Sequence, residues 1–272
     1  MDPVALTALM VAAARAREHE RLDRLFSDPY AAALVGEQGA GLLADVERAG
    51  GDAHNNPYLS IRVRFFDDLL LEAVSSTGVR QVVLLAAGMD TRAFRLPWPV
   101  GTKVYELDRP SVLAGKDAIL ENVGAVPRCT RHRLDVDLAL PWAQALAAVG
   151  FDRHTPSIWL AEGFLQYLDD AAARRVLSQA TQLAAPGSVL GANLVSATFL
   201  MHPATRSFRD AFAQLGAPLQ WGTDEPAALL AQYGWRAIVT VPGEEGANFG
   251  RWPWPITRDP DTPRSFWVTA HR

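Results

Sequence analysis

The sequence is poor in several features that would place it in common classes of protein. Its 272 residues include one cysteine, Cys129, so an intramolecular disulfide framework is excluded. It has no apolar run of about 18 residues and no charged-then-apolar leader, so neither a membrane span nor secretion is expected and the predicted location is cytoplasmic. Lys and Arg number 26 against 30 Asp and Glu, so nucleic acid is not an expected partner. The six His lack zinc-site spacing, so no metal site is expected.

The composition that is present suits one α/β domain with helical additions. Hydrophobic residues make up 49% of the chain, enough to bury one sizeable core. Helical periodicity predicts helices over 2–25, from Pro29 to Val35 and over 58–75, whereas 36–51, with five glycines, is predicted to be a mobile patch. We expect a single domain over 1–272, made of an N-terminal helical cap, a ligand-binding core, a helical insert and C-terminal strands: 1–75, 76–197, 198–235 and 236–272.

Strand and helix patterns alternate through the middle of the chain. This alternation predicts a mostly parallel sheet with helices on both faces and an antiparallel terminal strand. The predicted strands are 80–86, 103–107, 130–136, 157–161, 188–195, 236–241 and 265–270. Predicted helices follow near 90, over 109–122 and 170–184, and in the insert over about 203–215 and 224–233. A loop over 243–263 is long enough to suggest a functional role.

The turn after the first predicted strand carries the first functional signal. It reads Ala86-Ala87-Gly88, with Asp90 at the start of the next helix, and Asp108 ends the second strand twenty positions after Gly88. Small residues let a ligand lie against the backbone, and the acid can accept hydrogen bonds from a ribose diol. Asp90 would repel a pyrophosphate, so the pattern favours a phosphate-free, cationic ligand such as S-adenosylmethionine (SAM). An NAD(P) site and a plain α/β turn remain alternatives.

Further polar residues follow the other predicted strands at the same edge of the sheet. Ligands of open α/β sheets bind beyond the carboxyl ends of the strands. Asp135 and Asp137 follow strand three, although either could be a simple helix cap. Glu162 follows strand four within an apolar run, where a carboxylate is costly unless it is paired. Asp108, Asp137 and Glu162 could therefore contact the ribose, the adenine and the amino-acid ammonium of SAM.

Six blocks of the sequence, in the right order, resemble the leucine carboxyl methyltransferase family. More narrowly, they are similar to its actinobacterial branch of SAM-dependent O-methyltransferases, which includes polyketide carboxyl methyltransferases. The blocks are 2–36, 61–70, 81–99, 104–120, 136–146 and 159–168. The resemblance implies a Rossmann-like class I SAM methyltransferase sheet, an N-terminal helical lid over 4–35 that orders on cofactor binding, SAM as cofactor and S-adenosyl-L-homocysteine as product.

The resemblance also implies roles for individual residues. Gly88 is expected to allow close approach of SAM, and Asp108 to bind its ribose. Asp137 and Leu138 are expected beside adenine, with Asp135 as the alternative. The SAM carboxylate is assigned to an arginine before the Phe-Phe pair, Arg62 or, second, Arg64. The full set of expected cofactor-binding residues is Arg62, Arg64, Ala87, Gly88, Asp90, Asp108, Asp137, Leu138, Glu162 and Gly163.

Two departures from the family pattern stand out. Ala86 replaces the first glycine of the usual Leu-Gly-Ala-Gly turn. Ala139-Leu140-Pro141 precedes Trp142 where the family often has charged residues, which puts in doubt any contact that those charges make. The Asp137-Leu138 pair itself is kept.

The acceptor is expected to be a carboxylate on a small natural product, polyketide-like or peptide-like. A carboxylate needs no general base, because it is ionised at neutral pH, but it needs a clamp. Tyr167, His202 and Arg206 are the predicted catalytic residues, with Arg209 and Arg251 as further candidates for the clamp. Trp221, Trp252, Trp254 and Phe249 could wall a pocket for a flat acid or pack the long loop onto the sheet.

Other functions remain open on the sequence alone. A hydroxyl acceptor would need a base, for which His202 is the attractive candidate in the insert. A protein C-terminal carboxylate is a further possible acceptor, although nothing identifies a channel for it. A SAM-fold protein could also act as a scaffold or as a non-methylating catalyst. The expected partner is a small-molecule acid, and a homodimer is possible.

Overall fold

The computed structural model describes residues 3–51, 56–257 and 259–272, and its centre is a mixed sheet. In these residues the sheet has seven strands in the order β3-β2-β1-β4-β5-β7-β6. The strands are β1 Gln81–Leu85, β2 Lys103–Asp108, β3 Thr130–Asp135, β4 Ile158–Ala161, β5 Val189–Val195, β6 Arg236–Thr240 and β7 Ser265–His271. β1 to β5 pair in parallel, whereas β7 runs antiparallel to both β5 and β6. The predicted mostly parallel sheet with an antiparallel terminal strand is confirmed.

Helices cover both faces of the sheet and extend beyond its edge. They are α1 Pro3–His19, α2 Ala31–Leu34, α3 Gly39–Ala49, α4 Tyr58–Thr77, α5 Arg92–Arg95, α6 Pro110–Asn122, α7 Ala143–Ala148, α8 Asp170–Leu183, α9 Ala197–Met201, α10 Arg206–Gln214 and α11 Pro226–Ala231. Two single 3₁₀ turns occupy Leu165–Tyr167 and Pro203–Thr205. None of the described helices is long and apolar enough to cross a membrane.

The glycine-containing segment after α2 corrects one prediction. We predicted a mobile patch over 36–51, but residues 39–49 form α3. Leu43 and Val46 give this helix a buried apolar stripe, which outweighs the low helix propensity of glycine. A Cβ atom at Gly39 would lie 2.8 Å from the carbonyl oxygen of Leu9, so this glycine lets α3 pack closely on α1. Residues 52–55 lie outside the described residues.

Among the described residues, three apolar clusters hold these layers together. One joins α4 and its neighbours to one face of the sheet, and a second joins α8 to the other face. The third contains Met10, Leu43, Val46 and Phe212 and lies between α1, α3 and α10 rather than on the sheet. The two sheet clusters fix the strand ends, and the third cluster forms a helical cover near them.

Candidate cofactor and acceptor site

A cavity of about 550 Å³ lies beyond the carboxyl ends of the parallel strands. Residues that follow β1, β2 and β4 line it, among them Gly88, Asp108 and Glu162. Residues of α1, α3 and α10 line the rest. We call the first part the cofactor half and the second part, with Tyr167, the acceptor half.

The turn after β1 presents bare backbone to the cofactor half. Gly88 has φ 46°, and its amide donates a hydrogen bond to Oδ2 of Asp108 at 2.7 Å. A Cβ atom at Gly88 would lie 3.1 Å from Cβ of Ala8, so α1 covers the turn closely. Ala86, which replaces the family's first glycine, keeps the left-handed conformation with φ 53°. The small-residue turn inferred from the sequence is therefore present, and within it the backbone of Ala86 adopts a strained conformation.

Asp108 is held in place by backbone amides. Its Oδ1 accepts a hydrogen bond from the amide of Arg109 at 2.7 Å, in addition to the bond from Gly88. Burial raises the pKa of Asp108, although the two amides act in the opposite direction. Each carboxylate oxygen keeps a lone pair for a further donor, so the side chain suits a diol such as that of ribose.

Of the two aspartates proposed for adenine, Asp137 and not Asp135 borders the cavity. Asp137 accepts a hydrogen bond from the amide of Ala139 at 2.9 Å, and the buried Leu138 follows it in the cavity wall. Asp135 lies opposite Asp108 in the sheet register and forms an ion pair with Arg133 at 2.6 Å.

The structure also separates the two arginines proposed for the SAM carboxylate. Nε of Arg62 lies 2.8 Å from Oε1 of Glu162, and both side chains line the cavity. Gly163 has φ 59°, and a Cβ atom there would lie 3.4 Å from Nη1 and Nη2 of Arg62. The absence of a side chain at Gly163 thus leaves room beside the guanidinium. Arg64 points away, where it pairs with Asp68 at 2.8 Å and donates to the carbonyl of Leu25.

Around this pair lies a buried network of equal numbers of arginines and acids, which balances their charges. The central member is Arg92, which pairs with Asp67 at 2.7 Å, Asp90 at 2.5 Å and Glu162 at 2.8 Å. The remaining members are Arg15, Asp28, Arg62 and Arg95. This network explains how a carboxylate such as Glu162 is tolerated within an apolar run.

Asp90 illustrates the effect of this network on titration. Burial alone would raise the pKa of Asp90, but the positive charges of Arg92, Arg15 and Arg95, with the Arg92 amide, lower it to about 2. Asp90 is therefore ionised at neutral pH, and it lines the cofactor half.

Sequence reasoning missed Arg15 and Arg92, because most of their partners are far away in the chain. Arg15 donates to the carbonyl of Met89 at 2.6 Å and thereby joins α1 to the turn after β1. Asp28 accepts a hydrogen bond from Oγ1 of Thr91 at 2.6 Å. The short spacing between Asp90 and Arg92, two residues apart, was the one local sign of an ion pair in the sequence.

The acceptor half has a different character. Its wall is mainly apolar and includes Met10, Leu43, Phe208 and Phe212. Tyr167 lies where the two halves meet, and burial raises its pKa to about 12, against the lowering effects of a hydrogen bond with Thr7 and the charge of Arg62. The hydroxyl of Tyr167 is therefore protonated at physiological pH and can donate a hydrogen bond.

Several side chains proposed for acceptor chemistry are not brought to this cavity. His202 accepts a hydrogen bond on Nδ1 from the amide of Ala204 at 3.2 Å, and Arg206 is exposed. Arg209 donates to the carbonyl of His202 at 3.4 Å. Arg251 forms an ion pair with Glu18 at 2.8 Å and donates to the carbonyl of Asp23. His202, Arg209 and Arg251 are instead held by contacts elsewhere, and Tyr167 is the predicted catalytic residue that lines the cavity.

The proposed aromatic wall is also absent from the described lining of the cavity. Trp221 is buried and donates from Nε1 to Asp170 at 2.9 Å. Phe249 and Trp252 pack against the α4 side of the sheet, and Trp254 contacts Trp252 at 4.7 Å between ring centroids. Phe249, Trp252 and Trp254 therefore pack the long loop against the rest of the fold, which is the alternative left open by the sequence.

Comparisons with known proteins agree with this arrangement. The model of the leucine carboxyl methyltransferase family matches residues 8–181. A protein of Saccharopolyspora erythraea assigned as a SAM-dependent methyltransferase is 40% identical over 267 residues, which cover 91% of this chain and 88% of that relative. A similarly assigned protein of Parafrankia sp. (strain EAN1pec) is 49% identical over 192 residues. That match covers 69% of this chain and 62% of the relative, so the chain spans a little under two thirds of it.

A solved structure supports the same fold. The crystal structure of a DUF574-family protein from Streptomyces avermitilis has a TM-score of 0.64 at 14% identity, and the match covers 96% of each chain. The sheet order and the site at its carboxyl edge, together with the family match and the relative of Saccharopolyspora erythraea, identify a class I SAM-dependent methyltransferase. The chain belongs to the leucine carboxyl methyltransferase family, with SAM as its cofactor, so the resemblance seen in the sequence is confirmed.

Proposed function

We propose that the protein transfers the methyl group of SAM to a carboxylate oxygen of a small, largely apolar acid. The observation that carries this proposal is that the side chains around the cavity offer no unpaired histidine or glutamate as a general base, among the residues that the structure describes. No histidine is among the described residues that line it. Glu47, in the acceptor half, is bound by Arg17 at 3.0 and 2.6 Å, and Glu162 is paired with two arginines. An alcohol or phenol would need a base, whereas a carboxylate arrives ionised.

The residues at the junction of the two halves suit such an acceptor. SAM supplies an electrophilic methyl group on a sulfonium. Tyr167 would orient the acceptor through its protonated hydroxyl, and the nearby charge of Arg62 would favour an anion. The helices α1 and α3 would exclude water, which strengthens these interactions and leaves the carboxylate poorly solvated.

Natural-product acids of polyketide or peptide type are the proposed class of acceptor. Support comes from the sequence resemblance to the actinobacterial branch of the family and from the apolar wall of the acceptor half. A protein C-terminus would carry a peptide backbone with many polar groups, and this wall offers few partners for them.

The test is incubation of the protein with methyl-labelled SAM and a panel of carboxylic acids with matched alcohols and phenols. Label that alkali releases as methanol identifies methyl esters and is the expected result. Label in alkali-stable ethers would identify a hydroxyl acceptor, and conversion of an acceptor without label would identify a non-methylating catalyst. Either of these outcomes would overturn the proposal.

Two variants sharpen this test. Tyr167→Phe should lower kcat/KM for acids by roughly 10- to 100-fold, whereas Tyr233→Phe, on the periphery, should leave it unchanged. His54 lies outside the described residues, so His54→Gln is included as a check for a base. Unchanged ester formation by His54→Gln is expected, and its loss would contradict base-free transfer.

A further inference from the structure

Four aromatic side chains form a continuous row in the acceptor half. Ring centroids are separated by 6.2 Å from Tyr167 to Phe212, 4.8 Å from Phe212 to Phe208, and 5.7 Å from Phe208 to Phe199. All four residues line the cavity. The row therefore leads from Tyr167, at the junction with the cofactor half, to α9.

Aliphatic side chains from other helices complete this part of the wall. Met10 of α1 and Leu43 and Val46 of α3 are buried in the same apolar cluster as Phe212. The chamber thus combines aromatic rings from the insert with aliphatic groups from the N-terminal cap. Such a wall offers an acceptor large apolar contact area with ring faces and edges for stacking.

Tyr167 places a hydroxyl at one end of the row. Towards the other end, Oγ1 of Thr205, which also lines the cavity, already donates to the carbonyl of Phe199 at 2.7 Å. Thr7 and Arg62 interact with Tyr167, and no described charged residue contacts the rings of Phe208 or Phe212 in a cation–π arrangement. Glu47 also lines the cavity, but its charge is compensated by Arg17. A fitting ligand therefore has a single polar end and an apolar body.

We propose that the acceptor is a carboxylic acid with a planar aromatic or conjugated body, and that Phe208 and Phe212 determine this preference. The carboxylate of this acceptor rests on the proposed function, whereas its planar body is inferred from the row of aromatic rings. Stacked or edge-to-face ring pairs gain affinity beyond their buried area. A planar acid should therefore bind about 2- to 10-fold more tightly than a saturated acid of the same length and carbon count.

The experiment measures binding to the protein loaded with S-adenosyl-L-homocysteine. Calorimetry compares trans-cinnamate with 3-cyclohexylpropanoate, an acid with the same number of carbon atoms and a saturated ring. Wild type should prefer cinnamate several-fold. Phe208→Leu and Phe212→Leu, which keep an apolar side chain, should each lose most of the preference. Equal affinities in wild type, or a preference that survives in both variants, would overturn the proposal.

A matched control separates stacking from general loss of packing. Phe151→Leu also removes a ring with two aromatic neighbours, Tyr105 and Trp159, but Phe151 does not line the cavity. This variant should keep the preference for cinnamate. Unchanged affinity for S-adenosyl-L-homocysteine in all three variants establishes that each is folded; a variant that fails this check is replaced by its Met counterpart at the same position.

Binding and turnover also distinguish the two proposals from one another. Preferential binding of cinnamate without methyl ester formation would contradict the proposed reaction but support the preference for a planar acceptor. If both acids bind equally well and form methyl esters equally well, the result would support the proposed reaction and contradict the preference for a planar acceptor.

Discussion

The two halves of the cavity recognise their ligands by different physical means. The cofactor half combines backbone amides with a buried network of paired charges around Arg62, Arg92 and Glu162. The acceptor half is a mainly apolar chamber of helical side chains. Fixed charges on sheet ends suit a ligand whose chemistry never varies, whereas an apolar helical wall can change its shape by substitution. Four predictions test this contrast, beginning with the largest expected effect.

Removal of Arg62 should damage the cofactor half most. Arg62→Ala should weaken SAM binding about 100-fold, because truncation of one partner of a buried charge pair typically costs a few kcal/mol. The loss should be smaller for 5′-methylthioadenosine, which lacks the amino-acid carboxylate. Arg64 lies two residues further along α4, where it pairs with Asp68 and is partly exposed, so Arg64→Ala should bind SAM as wild type does. Equal losses for both ligands would identify Arg62 as a purely structural residue.

Asp108 offers a second test with a control on the neighbouring strand. Asp108→Ala should lower SAM affinity roughly 10- to 30-fold by removing hydrogen bonds to a charged acceptor. Asp135→Ala changes the residue directly opposite in the register, which lies outside the described cavity lining, and should have no effect. Calorimetric affinities that fell equally in both variants would contradict the assignment of the ribose site to Asp108.

Acid should destabilise the charged network before any apolar contact is affected. The pKa of Asp90 is lowered to about 2 in the folded protein, below its ordinary 3.8, so ionised Asp90 stabilises the fold above about pH 4. This contribution, about 2 kcal/mol, is lost as the pH falls towards 2. Denaturant unfolding of wild type and Asp90→Asn from pH 6 to 2.5 measures it. The difference between the two should shrink across that range, and a constant difference would contradict the prediction.

The smallest expected effect concerns the strained alanine beside the cofactor half. Ala86 has φ 53°, where glycine is favoured, so Ala86→Gly should stabilise the protein by about 1 kcal/mol. Ala87 is not among the described residues with positive φ, so Ala87→Gly should be destabilising instead. Urea unfolding of the two variants checks the sign of each effect, and the same sign for both would refute this explanation.

More of the residues predicted for the cofactor line the cavity than of those predicted for acceptor chemistry. Gly88, Asp108 and Glu162 lie at or shortly after the carboxyl ends of strands, and parallel strands bring these ends to one edge of the sheet. A local pattern in the chain therefore becomes a local site in space. The choice between Arg62 and Arg64 needed the orientation of α4, which short-range periodicity left open.

The acceptor half depends on contacts between segments that are distant in the chain. Its helical wall brings together α1, α3 and α10. The glycines of this segment hid α3, although one of them, Gly39, serves close packing on α1. His202 and Arg206 have suitable chemistry but lie outside the cavity, because the start of the insert orients them elsewhere. Side-chain type alone does not determine such an orientation.

The joint between α1 and the turn after β1 affects how ligands can exchange. Arg15 and Asp28 attach the N-terminal segment to Met89 and Thr91 through hydrogen bonds, and α1 lies directly over Gly88. Both side chains are buried, with Arg15 4% and Asp28 0% exposed, so dissolved ions screen these bonds only weakly. Release of the nucleoside product should therefore change little as ionic strength rises, so the turnover of this protein should tolerate a wide range of salt concentrations.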